Sequence, residues 1–389
     1  MQMQMLVRGY LVFDITGSYA ALGTLALAMS LPGLVLTMPG GVVADRFNKK
    51  RVVQLGQAAS GLMTLGLAGL IWTGQLEYWH LVASAALQSG IMALIMPARQ
   101  SWLPEIVGMG RLMNASALNM GSMSMASLIA PAGGAFLFAG VGAAWVFVLM
   151  TFFYFCTVTL LFRVPNRDIS LTDAPGRSGV DRSAGGGSGG TGSFRDMWDG
   201  LIYLIKEPTL RMLLMATLMI TLCSMPYQIM LPGFVKEVLG GDKEMLGILQ
   251  SITAVGAGLG AMLVASSGST GRGRILLAGA ATSGLALILF SFSTIVWFSA
   301  ITMVFIGLGQ TFRMSLGQVL VQTYVKDEYR GRAMSVFMMQ MNIVALGAFG
   351  VGLLAARIGP QAALGGLSAV LLVITALFYT FSPRLRALA

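Results

Sequence analysis

The chain has 389 residues, 56% of them hydrophobic and only 10% charged, where a soluble domain carries about 25% charged residues. That balance excludes a soluble globular protein and indicates a polytopic membrane protein whose surroundings are the lipid bilayer. A formal charge of +10 would suggest nucleic acid for a soluble chain, but here the location of the charge matters more than its sum.

The first stretch, MQMQMLVRGYLVFDITGS, has only some 13 residues before Asp14. At about 1.5 Å each they cannot cross about 30 Å of hydrocarbon. The expectation is the second half of a first span whose beginning is missing from the sequence. Met1–Tyr10 has neither a basic start nor a small-residue cleavage site, so no cleavable leader is expected. Apolar runs of membrane length then follow near 19–43, 51–73, 79–97, 113–138 and 143–163. Six more lie near 209–235, 245–266, 274–291, 294–320, 333–357 and 361–382.

Between the two sets, residues 164–208 mix basic and acidic side chains around AGGGSGGTGS, Ala184–Ser193, a flexible linker composition. Phe194–Pro208 has helical apolar spacing with charges at its polar positions and is expected along the membrane surface. The division is thus an N-terminal half (1–163), a linker (164–208) and a C-terminal half (209–389). The halves echo one another: RVVQLGQA after Lys50 resembles RILLAGAA from Arg274, the weak duplication expected of repeat-built transporters.

Of the 25 Lys and Arg residues, 20 fall in connections on one side of this span list and 3 on the other. The remaining two, Arg8 and Arg313, are at membrane depth. Because Lys and Arg resist translocation, the rich side is expected in the cytoplasm, with the central loop and the C-terminus.

The densest cationic stretch is GGVVADRFNKKRVV, Gly40–Val53, between the second and third spans. It resembles the signature of the major facilitator superfamily, with Asn48 where a glycine is usual. The resemblance covers essentially the whole chain, and its most specific pieces are LVFDITGS, GGVVADRFNKKR, PARQSWLPEIV and RGRAMS. It is to the branch that includes the bacterial enterobactin exporter. It implies an all-α fold of two six-helix pseudo-repeats, here about eleven and a half spans, in the plasma membrane of a bacterium. It also implies a cytoplasmic gate in which Asp45 pairs with Arg99 and faces the helix starting near Arg332–Ser335, with Arg46 and Lys50 beside it. A carboxylate at a helix N-terminus is favoured by the macrodipole. A solvated, orientation-setting loop is the plainer reading of the same basic residues.

SLIAPAGGAFLFAG, Ser127–Gly140, resembles the fifth-span signature of the superfamily's antiporters through Pro131, Gly133 and Gly134, with Ala130 in place of a glycine. An ordinary packing helix would use the same small residues. Arg8 is one turn from Gln4, and Arg313 is three residues after Gln310. Each pair can form a cationic cavity wall, or each arginine can be structural, bonded to backbone or snorkelling. No carboxylate lies in the middle of a complete span. Asp14, at the outer end of the first, is therefore the candidate for proton coupling. His80, beside Trp79, reads as an interfacial residue.

GAGLG at Gly256–Gly260 sits in an apolar run with no strand before it, so it is packing glycine and not a dinucleotide loop. The methionines are adaptable packing, not a metal site, and Cys156 and Cys223 lie in apolar runs. One histidine and no acid–base cluster argue against an enzyme; no cofactor or metal is expected. The resulting expectation is a monomeric secondary transporter that exports a small hydrophobic, drug-like or siderophore-like compound by alternating access, with protons as the coupling ion. An uptake permease, or a transport-dead receptor or scaffold, is the alternative.

Overall fold

The computed structural model describes residues 2–107, 112–164, 206–266, 271–326 and 329–388, with helices and short connections and no strand among them. The expected linker glycines, Ala184–Ser193, and the surface segment as far as Ile205 lie outside the described residues. Six helices form the first half: α1 (Gln2–Thr16), α2 (Tyr19–Arg46), α3 (Lys49–Trp72), α4 (Tyr78–Val107), α5 (Leu112–Val141) and α6 (Ala143–Arg163). The second half begins with α7 (Pro208–Ser224) and α8 (Tyr227–Glu237), followed by α9 (Lys243–Ser266) and α10 (Arg272–Ser291). It ends with α11 (Val296–Tyr324), α12 (Arg330–Ile358), α13 (Pro360–Phe381) and a final turn, α14 (Pro383–Arg386).

The membrane-length runs of the sequence all become helices, because in hydrocarbon every backbone N–H and C=O has to be satisfied within its own segment. Among the described residues, nine stretches are long and apolar enough to cross a membrane. Two faces follow from the up-and-down course. The basic face carries the α2–α3 connection and the Gly40–Arg51 stretch; the opposite face carries the α1–α2 and α8–α9 connections.

The span expected at 209–235 is broken. Pro226 has no N–H to donate and a φ of −56°, and the chain crosses the break on tighter bonds, Gln228 N to Met225 O at 3.1 Å and Ile229 N to Pro226 O at 3.1 Å. The break lies at membrane depth, where such backbone is tolerated only inside protein or beside a cavity.

Helix pairing repeats between the halves. Extensive contact between α2 and α4 and between α3 and α6 corresponds to that between α9 and α11 and between α10 and α13. The cross-half pairs, α2 with α12 and α5 with α9, are exchanged by the same pseudo-two-fold relation. Glycine sets the intimacy of these pairs. A Cβ at Gly40 would fall on the carbonyl of Ala93, one at Gly256 on that of Val304, and one at Gly307 on that of Thr253. The Gly256–Gly260 run is therefore helix packing, as its apolar context implied.

The repeat extends to single residues. Gly142 joins α5 to α6 with φ 90° and ψ 171°, and Gly359 joins α12 to α13 with φ 88° and ψ 155°. Both conformations are essentially restricted to glycine, so a one-residue junction is possible at these two places. Replacing either by alanine should cost about 1–3 kcal/mol, read as a lowered unfolding midpoint of the purified protein in detergent. Gly133→Ala, at a helical glycine with open space around it, should leave the midpoint unchanged.

Candidate substrate cavity and the two faces that flank it

A cavity of about 690 Å³ lies between the halves, at the depth of the α7–α8 break. The first half lines it with Met5, Gly9, Leu25, Met29 and Met125; the second half lines it with Tyr227, Gln228, Gln250, Gln310, Thr311 and Ser315. Gln228 Nε2 donates to Gln310 Oε1 at 3.4 Å, and Gln310 Nε2 is buried without a partner among the described residues. The break at Pro226 turns Tyr227 and Gln228, the first residues of α8, toward this space.

Of the four residues expected in the cavity wall, Gln310 lines it and the other three do not. Gln4 and Arg8 share a face, but it is the face turned into the first half, where they are 2% and 1% exposed. Arg8 Nη2 lies 4.0 Å from Met63 Sδ of α3, and Tyr154 of α6 stands beside both residues. Met5 and Gly9, one position further on, face the cavity instead. Arg313 likewise turns into the second half, 2% exposed. Its Nη1 donates to Thr221 Oγ1 at 2.5 Å, while Nε and Nη2 have no partner among the described residues. Gln340 extends this polar string by donating to Thr217 Oγ1 at 3.2 Å and to Leu214 O at 3.1 Å. The correction has a simple cause. Spacing of three or four residues puts side chains on a common helix face but leaves open which neighbour that face meets.

At the basic face, Asp45 is in the last turn of α2, and its side chain lies outside the described residues, as do those of Arg332 and Ser335. Arg46 is exposed. Arg99 Nη2 donates to Asn119 Oδ1 of α5 at 3.1 Å. Lys50 Nζ donates to the carbonyl of Val164, just past the end of α6, at 2.6 Å, a cation on the negative end of a helix dipole. These described contacts of Lys50 and Arg99 thus stay within the first half. In α5, Gly134 packs on Met3 of α1 and Gly133 faces open space; the Pro131 side chain lies outside the described residues.

On the opposite face the described residues show the halves in contact. Asp14 forms an ion pair with Lys236 of α8, their side chains 49% and 41% exposed. Below it, the absent side chain of Gly233 admits the rings of Phe13 and Tyr19, Gly9 approaches Pro232, and Gly23 lies against the backbone of Phe349. Together these contacts form a seam over the cavity. Sequence reasoning found Asp14 but missed Lys236, which reads as a loop cation, and missed Tyr227 and Gln228, for which Pro226 was the available signal. His80, by contrast, accepts a bond from Glu77 N at Nδ1, 3.1 Å, at the start of α4.

Thr221→Val should destabilise the protein by about 1–3 kcal/mol, because it leaves the buried Arg313 with one fewer acceptor. Thermal unfolding of the variant checks this. Thr159→Val, on an exposed position of α6, should be near neutral.

Comparison with known proteins gives a consistent result. The profile of the family described as transmembrane secretion effector matches residues 1–388. The staphyloferrin A transporter of Staphylococcus aureus is 23% identical over 369 residues, covering 94% of this chain and 88% of its own. The enterobactin exporter EntS of Shigella boydii is 26% identical over 369 residues, covering 92% and 83%. The crystal structure of a D-xylose–proton symporter superposes with a TM-score of 0.68 at 13% identity, over 99% of this chain and 97% of that one, a likeness of fold alone.

Proposed function

We propose, from the premise that the chain belongs to the transmembrane secretion effectors of the major facilitator superfamily, that it exports a small hydrophobic or siderophore-like compound by alternating access. The relatives named as a siderophore transporter and a siderophore exporter support that class of cargo. In this reading the basic face is cytoplasmic, from the twenty-to-three distribution of Lys and Arg. Residues 164–208 and the C-terminus are then also cytoplasmic, and a single chain with halves 1–163 and 209–389 is the working unit.

The observation that carries the reading is the seam. A cavity between two halves is covered on one face by contacts that rigid bodies can make and break. The Asp14–Lys236 pair is about half exposed on both sides, and such pairs contribute about 0–1 kcal/mol, so it can hold the seam without locking it. When the halves rock, Asp45, with Arg46, Lys50 and Arg99, closes the cytoplasmic side against the N-terminal end of α12. Opening the seam parts Asp14 from Lys236, which makes this carboxylate, at the moving boundary, the candidate for coupling to the pH gradient. The groups around it are Lys236 on α8, Tyr10 on its own helix and Asp242 just before α9.

In proteoliposomes, an opposed pH gradient should drive flux of enterobactin; correctly inserted protein that moves neither it nor a neutral hydrophobic dye would overturn the reading. Asp14→Asn should abolish the response to the gradient while leaving substrate counterflow, and undiminished gradient-driven flux would remove Asp14 from coupling. Asp45→Asn should lower turnover at least tenfold with normal insertion; unaltered turnover would take it out of the gate.

A further inference from the structure

The cavity has two unlike walls. Toward the first half its side chains are apolar, with Met5, Leu25, Met29 and Met125 prominent. Methionine is unbranched and polarisable, and adapts to rings and chains of different outline. Toward the second half it offers Tyr227, Gln228, Gln250, Thr253, Gln310 and Thr311. Among the described residues no charged side chain lines either wall.

Two fixed charges lie behind the walls. Arg8 is buried in the first half and Arg313 in the second, and no carboxylate is bonded to either among the described residues. A cation entering the cavity would lose its hydration, gain no counter-ion and meet two guanidinium groups of like sign. An anion would also enter without a direct counter-ion, because both guanidinium groups face into their own halves. Burying an ion on those terms is costly, whereas a neutral polar group needs only hydrogen bonds.

The polar wall provides those bonds in a definite sense. Once Gln228 donates to Gln310 Oε1, the buried Gln310 amide nitrogen, beside the Tyr227 hydroxyl, has no acceptor in bonding geometry among the described residues. A vacant amide donor calls for an acceptor such as a ring carbonyl, ester or ether oxygen. The N-terminal end of α8, beside Tyr227, has the same preference for electron-rich groups.

We propose that the cavity binds an uncharged amphiphile, its apolar face on the methionine wall of the first half and a carbonyl-type acceptor on the Gln228–Gln310 pair of the second, and that it rejects organic cations. This narrows the cargo of the export reading and rests on that reading only in calling the ligand a substrate.

Three dyes of related ring skeleton test it, with the full chain in lipid nanodiscs and no gradient applied. Nile red is neutral and carries a ring carbonyl, Nile blue replaces that carbonyl with a cationic iminium, and resorufin is an anion. Relative to empty nanodiscs, Nile red should show saturable binding near one per chain, with Nile blue and resorufin at least tenfold weaker. Gln310→Leu and Gln228→Leu should each weaken Nile red five- to tenfold. Gln250→Glu, which adds a carboxylate to the wall, should raise Nile blue affinity and lower that of Nile red. Nile blue binding as tightly as Nile red to the unaltered chain would overturn the proposal, as would Nile red binding indifferent to both leucine variants. If neither leucine variant yields monodisperse protein, the Gln250→Glu reversal decides. Flux of a siderophore without Nile red binding would sink this inference and leave export standing. The predicted binding pattern without flux of any compound would do the reverse.

Discussion

Backbone-close helix packing is the constraint on which the rest of this structure depends. In hydrocarbon the hydrophobic effect cannot hold one apolar helix against another, so association rests on van der Waals contact and interhelical hydrogen bonds. Glycine supplies the first of these. Gly40 removes the side chain that would separate α2 from α4, and Gly256 and Gly307 do the same between α9 and α11. The contacts within each half are so close that they yield little without clashing, because packed interiors switch between discrete arrangements more readily than they deform. Movement is thereby directed to the boundary between the halves, where α2 meets α12 and α5 meets α9.

That boundary adds an exposed ion pair to close glycine packing. Its charged component, Asp14 with Lys236, is half exposed and contributes about 0–1 kcal/mol. Beside it Gly233 lies under the rings of Phe13 and Tyr19, and Gly23 and Gly352 lie against the backbones of Phe349 and Tyr19. Rigid halves joined by a weak seam are the mechanical requirement of alternating access, and glycine serves both parts, deep within the halves and at their edge.

Much of the fold was legible in the sequence because it follows from one-dimensional rules. A run such as Ala143–Arg163 can only be a helix in a bilayer, and the two basic connections ending at Arg51 and Arg274 announce a repeat. The site was less legible, since sequence gives the periodicity of a helix but not its rotation. Gln4 and Arg8 share one face, as their spacing implies, and that face turns toward α3 and α6, the structural alternative that the sequence left open. Arg313 lies three residues from Gln310, close enough in angle to suggest a shared wall, yet it bonds Thr221 while Gln310 meets the cavity. Pro226 was visible throughout; its consequence, a break that turns Tyr227 and Gln228 toward the cavity, needed the tertiary context. Lys236 became meaningful only when Asp14, 222 residues away, was seen beside it.

The rotation of the two arginines matters for what the cavity can recognise. Had both faced inward, the walls would have been cationic, and an anion would have been the natural cargo. Turned into their own halves, they leave a lining without charge among the described residues and reach a ligand only as a field through low-dielectric protein, which weighs against cations without pairing with anions. Recognition then falls to the carboxamides, whose bonds with a neutral ligand are worth about 0.5–1.5 kcal/mol each. Such bonds are formed and surrendered more readily than a buried ion pair. Placing them on the second half alone, opposite a methionine wall that asks only for contact, lets the ligand stay with one half while the other rocks away.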